Sequence, residues 1–138
     1  MALSGLDTES GALVCLDMGR YHLDSGQAEG ARAWLGRALA AYRAAGVSDG
    51  LHNAQWLCGC SFIVEARFAD ALRVLPTPST SLPNMGIHCH VAWSDALRGA
   101  GDLQGAADHL RACERLIAEH NGLECRRDLL DAAWGALM

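Results

Sequence analysis

The sequence predicts an all-α fold of seven helices stacked as antiparallel pairs. Two features predict it. From Ile87 to Leu116 the chain reads as two helices joined at a tight corner. Val91, Trp93, Ala96 and Leu97 form an apolar stripe at helical spacing. Leu103, Ala106, Ala107, Leu110, Cys113 and Leu116 form a second stripe, continued by Ile117. In the corner Gly99-Ala100-Gly101-Asp102, Gly101 can take the left-handed conformation that ends a helix, and Asp102 can cap the next. The second feature is that this hairpin recurs. Ala31, Ala71 and Ala106 hold one place in it, at spacings of 40 and 35 residues. A chain of 138 residues suffices for a single domain, 1–138, with a continuous core.

In chain order, Met1 to Gly11 reads as a loose leader, with Asp7 or Thr8 able to cap the first helix. That helix extends to about Ser25, with Leu13, Leu16, Met18 and Leu23 as its apolar set, and Gly26 ends it. The second helix, about Ala28 to Ala45, carries Ala31, Trp34, Leu35, Ala38, Leu39 and Tyr42, with Gly46 as its C-terminal cap. A linker, Val47-Ser48-Asp49-Gly50, leads to the third helix, about Leu51 to Val64. There Gly59 permits a close crossing beside Trp56, Leu57, Phe62 and Ile63. The fourth helix, Arg67 to Leu75, is stopped by Pro76 and Pro78. PTPSTSLPN is then a loop, either a spacer or a partner contact, and Asn84 is the next N-cap. Asn121-Gly122 closes the sixth helix. A seventh, about Leu123 to Leu137, has Leu129, Leu130, Ala133, Trp134 and Leu137 on one side and Glu124, Arg127, Asp128 and Asp131 on the other.

These units resemble the tetratricopeptide repeat (TPR), a helix–turn–helix of about 34 residues. The family's pattern calls, in order, for a small residue, a large one, Gly, an aromatic or large apolar residue, Ala, a large residue and a small one. Ser94, Leu97, Gly101, Leu103, Ala106, Leu110 and Cys113 fill those places in the third repeat. Gly19, His22, Gly26, Ala28, Ala31, Leu35 and Ala38 occupy them in the first, where His22 and Ala28 depart from the pattern. Gly59, Phe62, Ala66, Phe68, Ala71 and Leu75 occupy them in the second, which breaks at Pro76. The repeats span about 12–46, 50–76 and 85–121, with a capping helix at about 123–137. The resemblance implies a right-handed α-solenoid. The linker with the helix end before it, AYRAAGVSDG, resembles the longer variant found in large bacterial transcriptional regulators.

Half the residues are hydrophobic, yet no run approaches a membrane span, and MALSGLDTES lacks the pattern of a secretory signal. A cytoplasmic protein is expected. The net charge of −5 argues against nucleic acid as the main partner. All eleven basic residues are Arg. Of the six cysteines, Cys15, Cys58, Cys89 and Cys113 sit at helical apolar positions, as small buried hydrophobes would in a reducing compartment. Cys58-Gly59-Cys60 and His88-Cys89-His90 suggest metal ligation, but on a helix of ~3.6 residues per turn, residues two apart diverge by about 200°. A site would need Cys60 and His88 from different helices facing one groove, so no metal and no cofactor are expected. No nucleophile elbow, phosphate loop or paired-carboxylate motif is present, which points away from an enzyme.

The surface left is the groove that, in this family, the first helix of each repeat lines. The resemblance assigns to it Leu13, Leu16, Arg20 and Asp24, then Asn53, Trp56, Cys60 and Ile63, then His88, Val91, Asp95 and Arg98. An apolar strip with a few charges suits a helix or an extended peptide, with Trp56 as the anchor. The expected function is a non-enzymatic protein- or peptide-binding scaffold or adaptor. The alternatives are a small secretion-type chaperone, or a small-molecule- or metal-sensing regulatory domain. The Lys-rich clamp for C-terminal carboxylates known in chaperone-binding members is absent. Trp134, Leu137 and Met138 end the chain on an apolar note, which suggests either a homodimer through the last helix or a longer parent with further repeats.

Overall fold

The computed structural model describes residues 8–79 and 82–138. The described residues are all-α, with no strand among them. The helices are α1 (Thr8–Asp24), α2 (Ala28–Ala45), α3 (Ser48–Ile63), α4 (Phe68–Val74), α5 (Pro83–Gly99), α6 (Leu103–Glu119) and α7 (Arg127–Leu137), the last entered through a 3-10 turn, Glu124–Arg126.

Three local expectations are corrected. Residues 8–11, read as leader, already belong to α1, and the candidate cap Asp7 lies outside the described residues. The four-residue linker does not exist, because Ser48, Asp49 and Gly50 form the first turn of α3. The Tyr42 ring lies where a Cβ on Gly50 would be, so this glycine serves close helix approach rather than a loop. Asn84 is not an N-cap. Pro83 opens α5 with its pre-set φ, the Leu82 N–H donates to Ser79 Oγ at 3.0 Å, and the Asn84 amide instead accepts from Arg126 Nε at 2.6 Å.

Each helix packs against its neighbours in sequence, and α1, α3, α5 and α7 also touch in succession. The core follows that order. One cluster joins α1, α2 and α3 around Leu16, Leu35, Tyr42 and Leu57. A second joins α3, α4 and α5 around Ala71, Leu75, Ala92 and Ala96. A third joins α5, α6 and α7 around Ile87, Leu110, Ile117 and Leu130. Each fully buried leucine in them contributes about 1.5–3 kcal/mol.

The corners within the helix pairs share one set of backbone bonds. After α1, Gly26 N–H donates to Leu23 O, Gln27 N–H to His22 O and Ala31 N–H to Gln27 O. After α3 the equivalent bonds run Ala66 to Ile63, Arg67 to Phe62 and Ala71 to Arg67; after α5 they run Gly101 to Arg98, Asp102 to Leu97 and Ala106 to Asp102. The left-handed residue is Gly26 (φ 78°), Ala66 (φ 58°) or Gly101 (φ 93°). Gly46, between α2 and α3, repeats the arrangement at φ 70°. Beyond each within-pair corner an alanine is fully buried (Ala31, Ala71, Ala106), and four residues later comes a buried leucine (Leu35, Leu75, Leu110). The facing helix is small there: a Cβ on Gly19 would lie 2.6 Å from Leu35 Cδ2, and one on Gly59 would overlap Leu75.

Two polar features tie the pairs together. Arg32 of α2 donates to the carbonyl and hydroxyl oxygens of buried Ser61, pairs with Glu65 at 2.7 Å and covers one side of the Phe62 ring at 4.5 Å, while Arg67 lies 4.7 Å from the same ring. The loop after α4 is pinned: the Pro76 carbonyl accepts from Trp93 Nε1 at 2.8 Å and Cys89 Sγ at 3.2 Å, and the Thr77 carbonyl accepts from His52 Nε2 at 3.0 Å. Cys58, Cys89 and Cys113 are buried, Cys15 is half-buried, and all six thiols are free.

The apolar side of α7 is turned inward. Leu130 and Ala133 are buried, and Leu129, Trp134 and Leu137 pack on the same cluster. Of the residues expected to form a dimer face, only Met138 is largely exposed; the other exposed large apolar side chains include Leu13, Val14 and Tyr21 on α1.

Candidate functional site

The succession α1–α3–α5–α7 brings one face of the odd-numbered helices together, and a trough runs along it. Helical periodicity sets Asn53, Trp56, Cys60 and Ile63 down one side of α3, and His88, Val91 and Asp95 down one side of α5. The trough has two compartments. One, of about 260 Å³, is bordered by Arg20, His52, Asn53, Trp56, Asn84, Met85 and His88. The other, of about 210 Å³, is bordered by Trp56, Cys60, Ile63, Val64, His88, Val91, Ala92, Asp95 and Leu129. Trp56 and His88 form the ridge between them, with ring centroids 5.4 Å apart at 53°.

Trp56 packs on the clusters on both sides of α3, and its indole Nε1 is buried without a hydrogen-bond partner among the described residues. His52 Nε2 must carry a proton, because its partner, the Thr77 carbonyl, only accepts; its buried Nδ1 is left without a partner. Arg20 is exposed and forms no ion pair within the described residues. Burial, with the guanidiniums of Arg126 and Arg20 nearby, lowers the His88 pKa and keeps its imidazole neutral. In the apolar compartment burial pushes the Cys60 thiol up to about 12, with Asp95 and Cys89 adding to it against Arg20. Burial also raises the Asp95 carboxyl, and Arg98, 3.8 Å away, opposes that shift. Cys58, Cys89 and Cys113 are raised to about 11, 12 and 12, chiefly by burial. These thiols are not nucleophiles at neutral pH.

Of the residues assigned to the groove, Arg20, Asn53, Trp56, Cys60, Ile63, His88, Val91 and Asp95 border the trough. Leu16 does not: it is only 4% exposed and packs in the core with α2. Leu13 is half exposed and borders neither compartment, Asp24 is exposed, and Arg98 reaches the trough only through Asp95. Cys60 and His88 share the apolar compartment, as a metal site would require. The described residues contain no group of three or more His, Cys, Asp or Glu placed to hold an ion. Cys58 points into the core while Cys60 borders the trough, the divergence that a two-residue spacing imposes.

His52, Asn84, Met85, Val64, Ala92 and Leu129 complete the lining and were missed in the sequence. His52 lies one turn before Trp56, a spacing that could have found it. Asn84 was absorbed by the cap reading, and Leu129 by the assignment of α7 to capping alone. The trough has a more polar end, at Arg20 and Asn53, and an apolar end, at Ile63, Val91 and Leu129. No protein-family model, curated protein or solved structure matches this chain.

Proposed function

We propose that the chain is a short right-handed solenoid of the tetratricopeptide type, and that it serves as a non-enzymatic scaffold holding a peptide segment of another protein in the trough. The solenoid reading is supported by the recurrent corners, by the Ala and Leu that follow each of them, and by contacts that run between neighbouring and next-but-one helices. The long-linker variant receives no such support, since only Gly46 and Val47 separate α2 from α3.

The observation that carries the binding role is Trp56, a half-buried indole whose ring forms the ridge between two compartments and borders both. Compartments of about 260 and 210 Å³ fall below the ~300–1,000 Å³ of typical small-molecule sites, and suit side chains of a longer ligand better than a whole metabolite.

Because Trp56 also packs on two core clusters, Trp56→Ala lowers stability as well as binding. Trp56→Phe keeps much of the bulk and removes part of the ring face that the two compartments share. Random peptides displayed on phage and selected on the wild type should bind Trp56→Phe at least about ten-fold more weakly, with the melting temperature nearly preserved. Selection that never rises above a Trp56→Ala background sinks the binding role.

A further inference from the structure

The chain as a whole is acidic, with a net charge of −5, but the polar compartment has no carboxylate in its lining. Its permanent charge is the Arg20 guanidinium, and the Asn53 amide beside it adds a donor and an acceptor. A second guanidinium, Arg126, stands behind the wall, holding Asn84 and acting on His88. Arg67 and Arg73 are engaged by Asp70, Arg98 by Asp95, Arg111 by Asp108 and Arg127 by Glu114; Arg37, Arg43 and Arg115 have no acid partner among the described residues but border neither compartment. Arg20 has no such partner among the described residues. At the other end Ile63, Val64, Val91 and Leu129 make an apolar wall, and the one acid there, Asp95, is paired with Arg98.

The two compartments share Trp56 and His88, so their occupants lie side by side. A peptide that crosses the Trp56–His88 ridge therefore sets one side chain in each compartment. We infer that the trough reads an ordered pair of side chains on a segment of a partner protein: a carboxylate seated against Arg20 in the polar compartment, and a large apolar side chain against Ile63, Val91 and Leu129 in the other. The inference rests on the peptide reading of the trough. The carboxylate is an Asp or Glu side chain.

The test uses random peptides fused through their C-termini to a phage coat protein, so that no terminal carboxylate is available. Peptides selected on the wild type are sequenced, resynthesised with both ends capped, and titrated against the wild type and Arg20→Gln. Arg20 is exposed, so the variant should melt as the wild type does. The expected result is enrichment of Asp or Glu with a large apolar residue at one fixed spacing from it. Exchanging that acid for its amide, or the apolar residue for Ser, should weaken binding about ten-fold or more. Arg20→Gln should weaken the acidic peptide but not its amide twin, and rising salt should remove the difference between the twins. Selected peptides that lack an acid, or twins that bind alike, overturn the ordered pair and leave the peptide trough standing. A selection with no enrichment above the Trp56→Ala background overturns both.

Discussion

Ala66 is the one non-glycine residue with positive φ among those described, and it stands where Gly26 and Gly101 stand in the equivalent corners. A Cβ in the left-handed region costs roughly 1–2 kcal/mol, and Ala66 is exposed, so its methyl returns little by packing. Ala66→Gly should therefore raise stability by about 1 kcal/mol, less the added freedom glycine gives the unfolded chain, as read from denaturant midpoints at unchanged slope. A fall in the midpoint would mean that the corner is not strained at this position. The conformation had a partial sequence signal: Ala66 fell in the repeat's glycine place, though its side chain gave no hint of a left-handed turn.

At the scale of the elements, α5 and α6 meet through a pair of histidines. His90 Nδ1 and His109 Nδ1 lie 2.8 Å apart, and His109 stacks on Trp93 with centroids 5.6 Å apart and planes 7° from parallel. One ring must donate and the other accept, so the interface needs at least one neutral imidazole. Burial, then His109 and Arg115, lowers the His90 pKa from the ordinary 6.5 to about 4, and burial lowers His109 as well. Between those values the unfolded chain binds a proton that the folded chain refuses. The stability contributed by the neutral pair is complete above about pH 6.5 and is lost as the pH falls through about 4. Thermal melts across that range should show a falling midpoint, and His90→Gln should flatten the fall; parallel curves for the two proteins would reject the coupling. Which elements form was largely legible in the sequence. Ala-rich α2, closed by Gly46, has the bounds that its composition gives. Ser48-Asp49-Gly50 and Asn84 misled for one reason. Turn and cap propensities are worth about 1 kcal/mol, and Tyr42 packing on α3 or a proline at the first helical position outweighs them. The trough was legible on α3 and α5, where positions every third or fourth residue face one way. It failed on α1, where Leu16 is claimed by α2 and only Arg20 reaches the trough.

For the whole molecule, the order of the core clusters makes stability a matter of neighbours. Removing residues 120–138 strips the cover from Ile87, Leu110 and Ile117 without touching the cluster around Leu35 and Tyr42. The truncated chain should lose amide protection in α5 and α6 first, with α1 to α3 protected longer, as hydrogen exchange can read. Uniform loss across all helices would show that the clusters act as one cooperative unit. Since α7 already buries its apolar side, Met138→Ser should leave the sedimentation coefficient unchanged.

The identity of the corners has a further consequence, for how such a chain can change its length. Gly26 followed by Gln27 and Ala66 followed by Arg67 are interchangeable joints, each a left-handed residue that together with its successor closes the same three bonds. A tandem duplication of residues 27–66 would place Gln27 directly after Ala66, in the seat that Arg67 now holds, and the original Arg67 after the copied Ala66. Both junctions would then be corners the molecule already makes, so a gene could gain two helices by one unequal crossover without inventing a loop. The Pro76 connection offers no such joint, because its carbonyls are bound by Trp93, Cys89 and His52 at one fixed place in the stack. Growth by duplication is open upstream of that loop, and there the trough would lengthen by one more copy of the face that carries Asn53, Trp56, Cys60 and Ile63.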